Sequence, residues 1–109
     1  MAHALPPGSL AMTQEEVLRI LRAHQDPLRQ NYHVRSLALF GSVARNEAGP
    51  TSDVDLLVEF DRPIGYFHLI KTQLYLQDLL GTDKVDLILR RAIHPELRDE
   101  ILGEAIDVA

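Results

Sequence analysis

Apolar positions along the chain change period several times, and each change marks an element. Val17, Ile20, Leu21 and Leu28 share one face at helical spacing. Thr13 followed three residues later by Glu16 matches a capping box, so a first helix is expected from about Gln14 to about Gln25, ended or kinked by Pro27. His24, on or beside the apolar stripe, reads as a partly buried surface histidine. From Val34 to Phe40 the pattern is that of a strand. Leu37 and Leu39 face one side and Ser36, Ala38 and Phe40 the other, and so little polarity on either face predicts a central strand. A second strand, Asp53 to Phe60, places Val54, Leu56, Val58 and Phe60 on one face and Asp53, Asp55, Leu57 and Glu59 on the other.

A long helix is expected between Pro63 near its start and Gly81 at its C′ position. Phe67, Ile70 and Leu74, with Leu69, Leu76, Leu79 and Leu80 on the neighbouring stripe, give it a wide apolar face. That fits packing on a sheet, with one flank spare for a partner. Tyr66, Lys71 and Tyr75 read either as a ligand-stacking set or, more commonly at this spacing, as core and rim. A third strand, Lys84 to Leu89, gathers Val85, Leu87 and Leu89 on one face and turns Asp86 to the other. Arg90 and Arg91 form the only paired basic residues, available to a partner or a ligand. His94-Pro95 opens a last helix with Leu97, Ile101, Leu102 and Ala105 inward. The order helix, strand, strand, helix, strand, helix predicts an α/β (α+β) domain: a small mixed sheet with helices packed mainly on one side.

At 109 residues the chain makes one domain, with room for a single core. Residues 1–11 lack a period and contain Pro6-Pro7-Gly8, so they read as a flexible leader, native or carried over from expression, ahead of a domain over residues 12–109. The net charge of −5, without a Lys/Arg run, argues against direct nucleic-acid binding. The absence of cysteine excludes disulfides and thiolate metal sites. No apolar stretch approaches the roughly 18 residues of a membrane span, and a cytoplasmic location is expected. The five histidines lack metal-ligand spacing.

The chemistry concentrates between Phe40 and Glu59. Gly41-Ser42 follows the first strand, and ten residues separate Ser42 from Asp53-Val54-Asp55 at the head of the second. Alternate strand positions share a face, so Asp53 and Asp55 stand roughly 6.6 Å apart along the strand. Two carboxylates so close repel, and a hard cation such as Mg²⁺, bound by one or two carboxylates and substrate phosphates, relieves the repulsion. Gly41 lets the backbone approach a ligand, and Ser42 adds a hydroxyl beside amides suited to phosphate oxygens. A short helix is expected from Ser42 to about Ala48. Arg45 within it would reach a nucleotide phosphate or pair with Glu47 or Asp53. Gly49-Pro50-Thr51 is a turn by composition. Without Gly41-Ser42, Asp53 and Asp55 would read as a solvated strand start, and Glu59 still does. Asp86, a lone acid in an apolar strand, needs a partner or water.

Gly41-Ser42, ten residues, then Asp53-Val54-Asp55, with Arg45 and Ser52 between, resembles the minimal nucleotidyltransferases of the DNA polymerase β-like superfamily, and within them the MNT-domain antitoxins. The resemblance covers roughly Thr13 to the C-terminus. Asn46 departs from it, because relatives often carry Gly there, but Asn tolerates positive φ. The resemblance implies the polymerase β-like nucleotidyltransferase fold, with Asp53, Asp55 and Asp86 as catalytic carboxylates and metal ligands. It implies Gly41, Ser42, Arg45 and Ser52 around the nucleotide, Mg²⁺ as cofactor and ATP as substrate. MNT proteins are paired with HEPN-domain toxins, so the implied reaction is AMP transfer to a toxin tyrosine. A small domain leaves little surface to hold an acceptor, which favours a second chain and a hetero- or homo-oligomer. Two alternatives stay open: an antitoxin acting by contact alone, and a small-molecule nucleotidyltransferase.

Overall fold

The structure is a computed structural model that describes residues 12–49 and 52–108; residues 1–11 and part of the turn read at 49–51 lie outside them. Two helices come first, α1 (Gln14–Ala23) and α2 (Gln25–Tyr32). The capping box is present: the Thr13 hydroxyl accepts from the Glu16 amide, and the Glu16 carboxylate accepts from the Thr13 amide. The single helix expected to Gln25 is instead broken at His24, whose ring bonds the Ile20 carbonyl. Pro27 explains the break. Its ring has no N–H and would clash with the carbonyl four residues back, whereas in the first turn of a new helix neither matters. Leu28 is buried from α2, not α1.

Strand β1 (Val34–Phe40) leads directly into α3 (Gly41–Ala44), and β2 (Val54–Phe60) follows. Asn46 adopts φ 58, the positive value its side chain tolerates. Helix α4 (Tyr66–Leu80) starts at the Gly65 cap, with Pro63 in the preceding loop, and ends on Gly81 at φ 69. Strand β3 (Val85–Leu89), a short 3₁₀ turn (Arg90–Ala92), α5 (Pro95–Glu104) and β4 (Ile106–Asp107) complete the chain. The sheet order is β3-β2-β1-β4, with β2/β3 parallel and the other pairs antiparallel, so β1 is central as expected and the sheet is mixed.

The two faces of the sheet bury different cores. Leu37, Leu39, Val54, Leu56, Val58, Val85 and Leu87 meet α1, α2 and α4 in the larger one. Ala38, Phe40, Leu57 and Ile93 meet Ile101, Leu102 and Ala105 of α5 in the smaller. Helices therefore lie mainly on one side, with α5 alone on the other. The wide apolar face of α4 divides into a buried stripe and an exposed flank, and one inward assignment, Leu97, is corrected. Phe67 and Leu74, 86% and 58% exposed, lie on the outer flank of α4, because the stripe turned to the sheet is Thr72, Leu76 and Leu80. Thr72 is hidden from an apolar reading by its hydroxyl, which donates to the His68 carbonyl one turn back. Leu97 is likewise exposed, in the first turn of α5. Tyr75 stacks on Tyr32 and Lys71 lies over the same ring, while Tyr66 is exposed beside Phe67, so the three do not form one ligand set. Glu59 is not simply solvated: it accepts from the Ser36 hydroxyl and pairs with Arg90.

Candidate active site

Pairing places the acidic residues. Asp55 stands opposite Phe40 on β1 and opposite Asp86 on β3, so Asp55 and Asp86 are neighbours across the parallel pair on the sheet face covered by α5. Asp53 lies just before β2 and is exposed, as is Asp86 on its edge strand, while Asp55 is half-buried. The Asp55 carboxyl is pushed up to about 6, first by burial and then by the negative charges of Asp86 and Asp53, with Arg45 opposing. Asp86 and Asp53 thus both act on Asp55.

Because Phe40 pairs with Asp55, the next residue on β1, Gly41, lands beside that carboxylate. Gly41 has φ +78, and a Cβ there would run into the Asp55 side chain. Glycine is required twice over, by the backbone angle and by the contact. The Gly41 amide donates to Glu104 Oε1 at 3.1 Å, from the last residue of α5. Arg45, which closes α3, donates to both oxygens of Glu104 at 3.1 Å and to Glu47 at 2.9 Å. Of the expected pairings, Glu47 is present; Glu104 takes the place considered for Asp53. Ser42 is half-buried next to Gly41, and its carbonyl accepts from the Glu47 amide. The Ser52 hydroxyl, next to Asp53, accepts from the Gly49 amide at 2.9 Å.

The structure therefore gathers Gly41, Ser42, Asp53, Asp55 and Asp86 around the junction of β1, α3 and β2, with Arg45 beside them, while the Ser52 side chain is engaged by the Gly49 amide. Glu104 was not legible beforehand. It lies far away in sequence, and nothing in its helical context distinguishes it from Glu96 or Glu100. Among the described residues, no three or more His, Cys, Asp or Glu side chains are close enough to hold an ion by themselves. A cation that takes one or two carboxylates and completes its shell with water and phosphate needs no such cage. The crowding that raises Asp55 is what such a cation would relieve, so the residues fit one.

Residues 21–108 match the family of the nucleotidyltransferase domain. The chain belongs to that family. A candidate protein adenylyltransferase of Methanocaldococcus jannaschii is 48% identical over 82 residues, covering 75% of this chain and 83% of its own. The protein adenylyltransferase MntA of Thermococcus cleftensis is 37% identical over 97 residues, covering 89% and 97%. The solved structure of a candidate minimal nucleotidyltransferase superposes with a TM-score of 0.72 at 38% identity, covering 87% of this chain and 95% of its own. The fold is also that of the MNT antitoxin crystallised with a tri-AMPylated Shewanella oneidensis HEPN toxin, at TM-score 0.60, 16% identity and coverage of 84% and 71%. This nucleotidyltransferase is thus an enzyme of the minimal, MNT-like type, with the mixed sheet and helix arrangement of that group.

Proposed function

We propose that this nucleotidyltransferase transfers AMP from ATP, with Mg²⁺, to a tyrosine hydroxyl of a partner HEPN-type toxin and thereby neutralises it. The observation that carries the reading is Asp55, packed against Gly41, paired with Asp86 across the strands and acted on by the charges of both Asp86 and Asp53. In its support stand the names of its relatives, protein adenylyltransferases, and the AMPylated toxin that accompanies an antitoxin of the same fold.

Asp53 and Asp55 would hold the cation, whose chemistry is to neutralise the triphosphate and polarise the α-phosphorus. Ser42 and the amides around it orient the β- and γ-phosphates. Asp86, which is on the neighbouring strand and open to solvent, would receive the acceptor proton. The acceptor oxygen forms a bond to the α-phosphorus, the bond from that phosphorus to the β-phosphate bridge breaks, and pyrophosphate leaves. Asp86 being exposed suits this role, because an acceptor carried on another protein has to reach the site from outside. No helix among the described residues is long and apolar enough to cross a membrane.

The test is coexpression of the HEPN protein with wild-type enzyme or with an Asp53→Asn/Asp55→Asn double variant. Enzymatic neutralisation predicts that the variant binds the toxin without protecting the cell, and that toxin made with wild type carries added AMP mass. Full protection by the double variant, with unmodified toxin, would leave an antitoxin that works by contact alone.

A further inference from the structure

The Gly41 amide and the Arg45 guanidinium are the groups of the site best suited to an anion, and an anion of the protein already holds both. Glu104 Oε1 accepts from Gly41 N–H and from Arg45 Nη1, and Oε2 accepts from the same Arg45 nitrogen, all at 3.1 Å. A carboxylate on one backbone amide and one guanidinium occupies the place and satisfies the donors that a phosphate oxygen would. Its charge also adds to the negative potential felt by Asp55. We propose that Glu104 competes with the nucleotide triphosphate for Gly41 and Arg45, so that its displacement sets the nucleotide affinity of the site. This rests on the nucleotidyltransferase reading above.

The fold lets the side chain leave without the backbone. Glu104 ends α5, and the chain continues at once into β4, which pairs with Ala38 and Leu39 of β1. Beyond it, Arg22 of α1 donates to the carbonyls of Asp107 and Val108, and the Val108 amide donates to Leu37. The segment that follows Glu104 is thus pinned to β1 and α1, so exchange with a phosphate is a rotation of the Glu104 side chain. That side chain is 26% exposed and Arg45 is 45% exposed, so both have water to move into. Arg45 keeps its second partner, Glu47, during the exchange and stays close to the site.

A protein whose binding groups are occupied in most molecules binds its ligand more weakly by the fraction that is free. Removing the competitor should therefore tighten binding. Titration calorimetry of ATP with Mg²⁺, and of inorganic triphosphate alone, on Glu104→Ala should give a Kd about tenfold lower than wild type. Glu104→Gln, which still accepts from Gly41 but lacks the charge that holds Arg45, should fall between them. The Arg45→Ala/Glu104→Ala pair should lose the gain, because the freed guanidinium is what the phosphate uses. Equal or weaker binding by Glu104→Ala, with ATP bound normally by wild type, would overturn the competition and leave the nucleotidyltransferase reading standing. Persistence of the gain in the double variant would overturn it too, pointing to general relief of negative charge. If neither wild type nor Glu104→Ala binds ATP with Mg²⁺, both readings fall.

Discussion

Gly41 and Asp55 fit against each other so closely that a methyl group on residue 41 would enter the Asp55 carboxylate. The contact joins the two halves of the motif, the glycine turn after β1 and the carboxylate on β2, through the antiparallel pair Phe40–Asp55. Gly41→Ala should therefore harm folding and chemistry together. A side chain at φ +78 costs about 1–2 kcal/mol before any clash. For a domain of this size that lowers Tm by roughly 5–10 °C. AMP transfer should fall further still, because Asp55 must move. A variant with wild-type Tm and transfer rate would show that the carboxylate is not held against the turn.

Asp55 should make the metal-free protein sensitive to pH. In the fold its carboxyl holds a proton up to about pH 6, against the ordinary value of 3.8. Between those values the folded state binds more protons than the unfolded one, so stability from this group falls as pH rises through the window and levels off above it. Asp55→Asn should remove that slope. With allowance for solvent screening of a half-buried group, the variant should be more stable than wild type at pH 7 by on the order of 1 kcal/mol, and no different near pH 4. Denaturant unfolding in chelator at both pH values measures it, and equal stability at pH 7 would show that Asp55 carries no such penalty.

Transfer itself should depend on both leading carboxylates. Asp53→Asn and Asp55→Asn should each reduce AMP transfer by more than the roughly 10–100-fold loss that follows changes to residues merely supporting a metal site. Circular dichroism should remain that of the folded domain. Wild-type transfer by both variants would remove the cation from this site.

Asp86 has a separable role. It is exposed on the edge strand beside Asp55, so its loss should leave ATP with Mg²⁺ bound at close to wild-type affinity while transfer drops. Binding by calorimetry and transfer by labelled AMP separate the two. Affinity lost in step with activity would make Asp86 a nucleotide-binding residue, and unchanged activity would make it an ordinary surface acid.

Arg22 should set the stability of the C-terminal strand. Its guanidinium donates to Val108 at 2.7 Å and to Asp107 at 3.0 Å, bridging α1 to a strand of two residues. Charged hydrogen bonds of this kind contribute about 1.5–3 kcal/mol. Arg22→Ala should speed amide exchange at Val108, which donates to Leu37, while amides of the central β1–β2 pair remain protected. Uniform acceleration across the sheet would mean that the strand unfolds only with the whole domain.

Local pattern alone carried the three long strands, the capping box at Thr13 and the glycine stop at residue 81. Period, capping and turn chemistry are properties of neighbouring residues, so they are written along the chain. The spacing from Gly41-Ser42 to Asp53 and Asp55 was legible for the same reason, since one turn and two strand ends fix it. Even the break near Pro27 was visible, though the second helix it begins was not, because α2 offers a single buried residue, Leu28.

Other features exist only in three dimensions. Asp86 becomes a neighbour of Asp55 through a parallel pairing that no local spacing encodes. Phe67 and Leu74 lie outside and Thr72 inside because the sheet, not the hydrophobicity of α4, selects the buried stripe. Strand β4 is too short to carry a period and exists because β1 and Arg22 hold it. Glu104 meets Gly41 and Arg45 only once α5 has crossed the second face of the sheet. The sequence determined which residues could do the chemistry, since side-chain type and local spacing are chain properties. The tertiary structure decided which charges face one another, since strand pairing and helix docking alone bring distant residues within hydrogen-bonding distance.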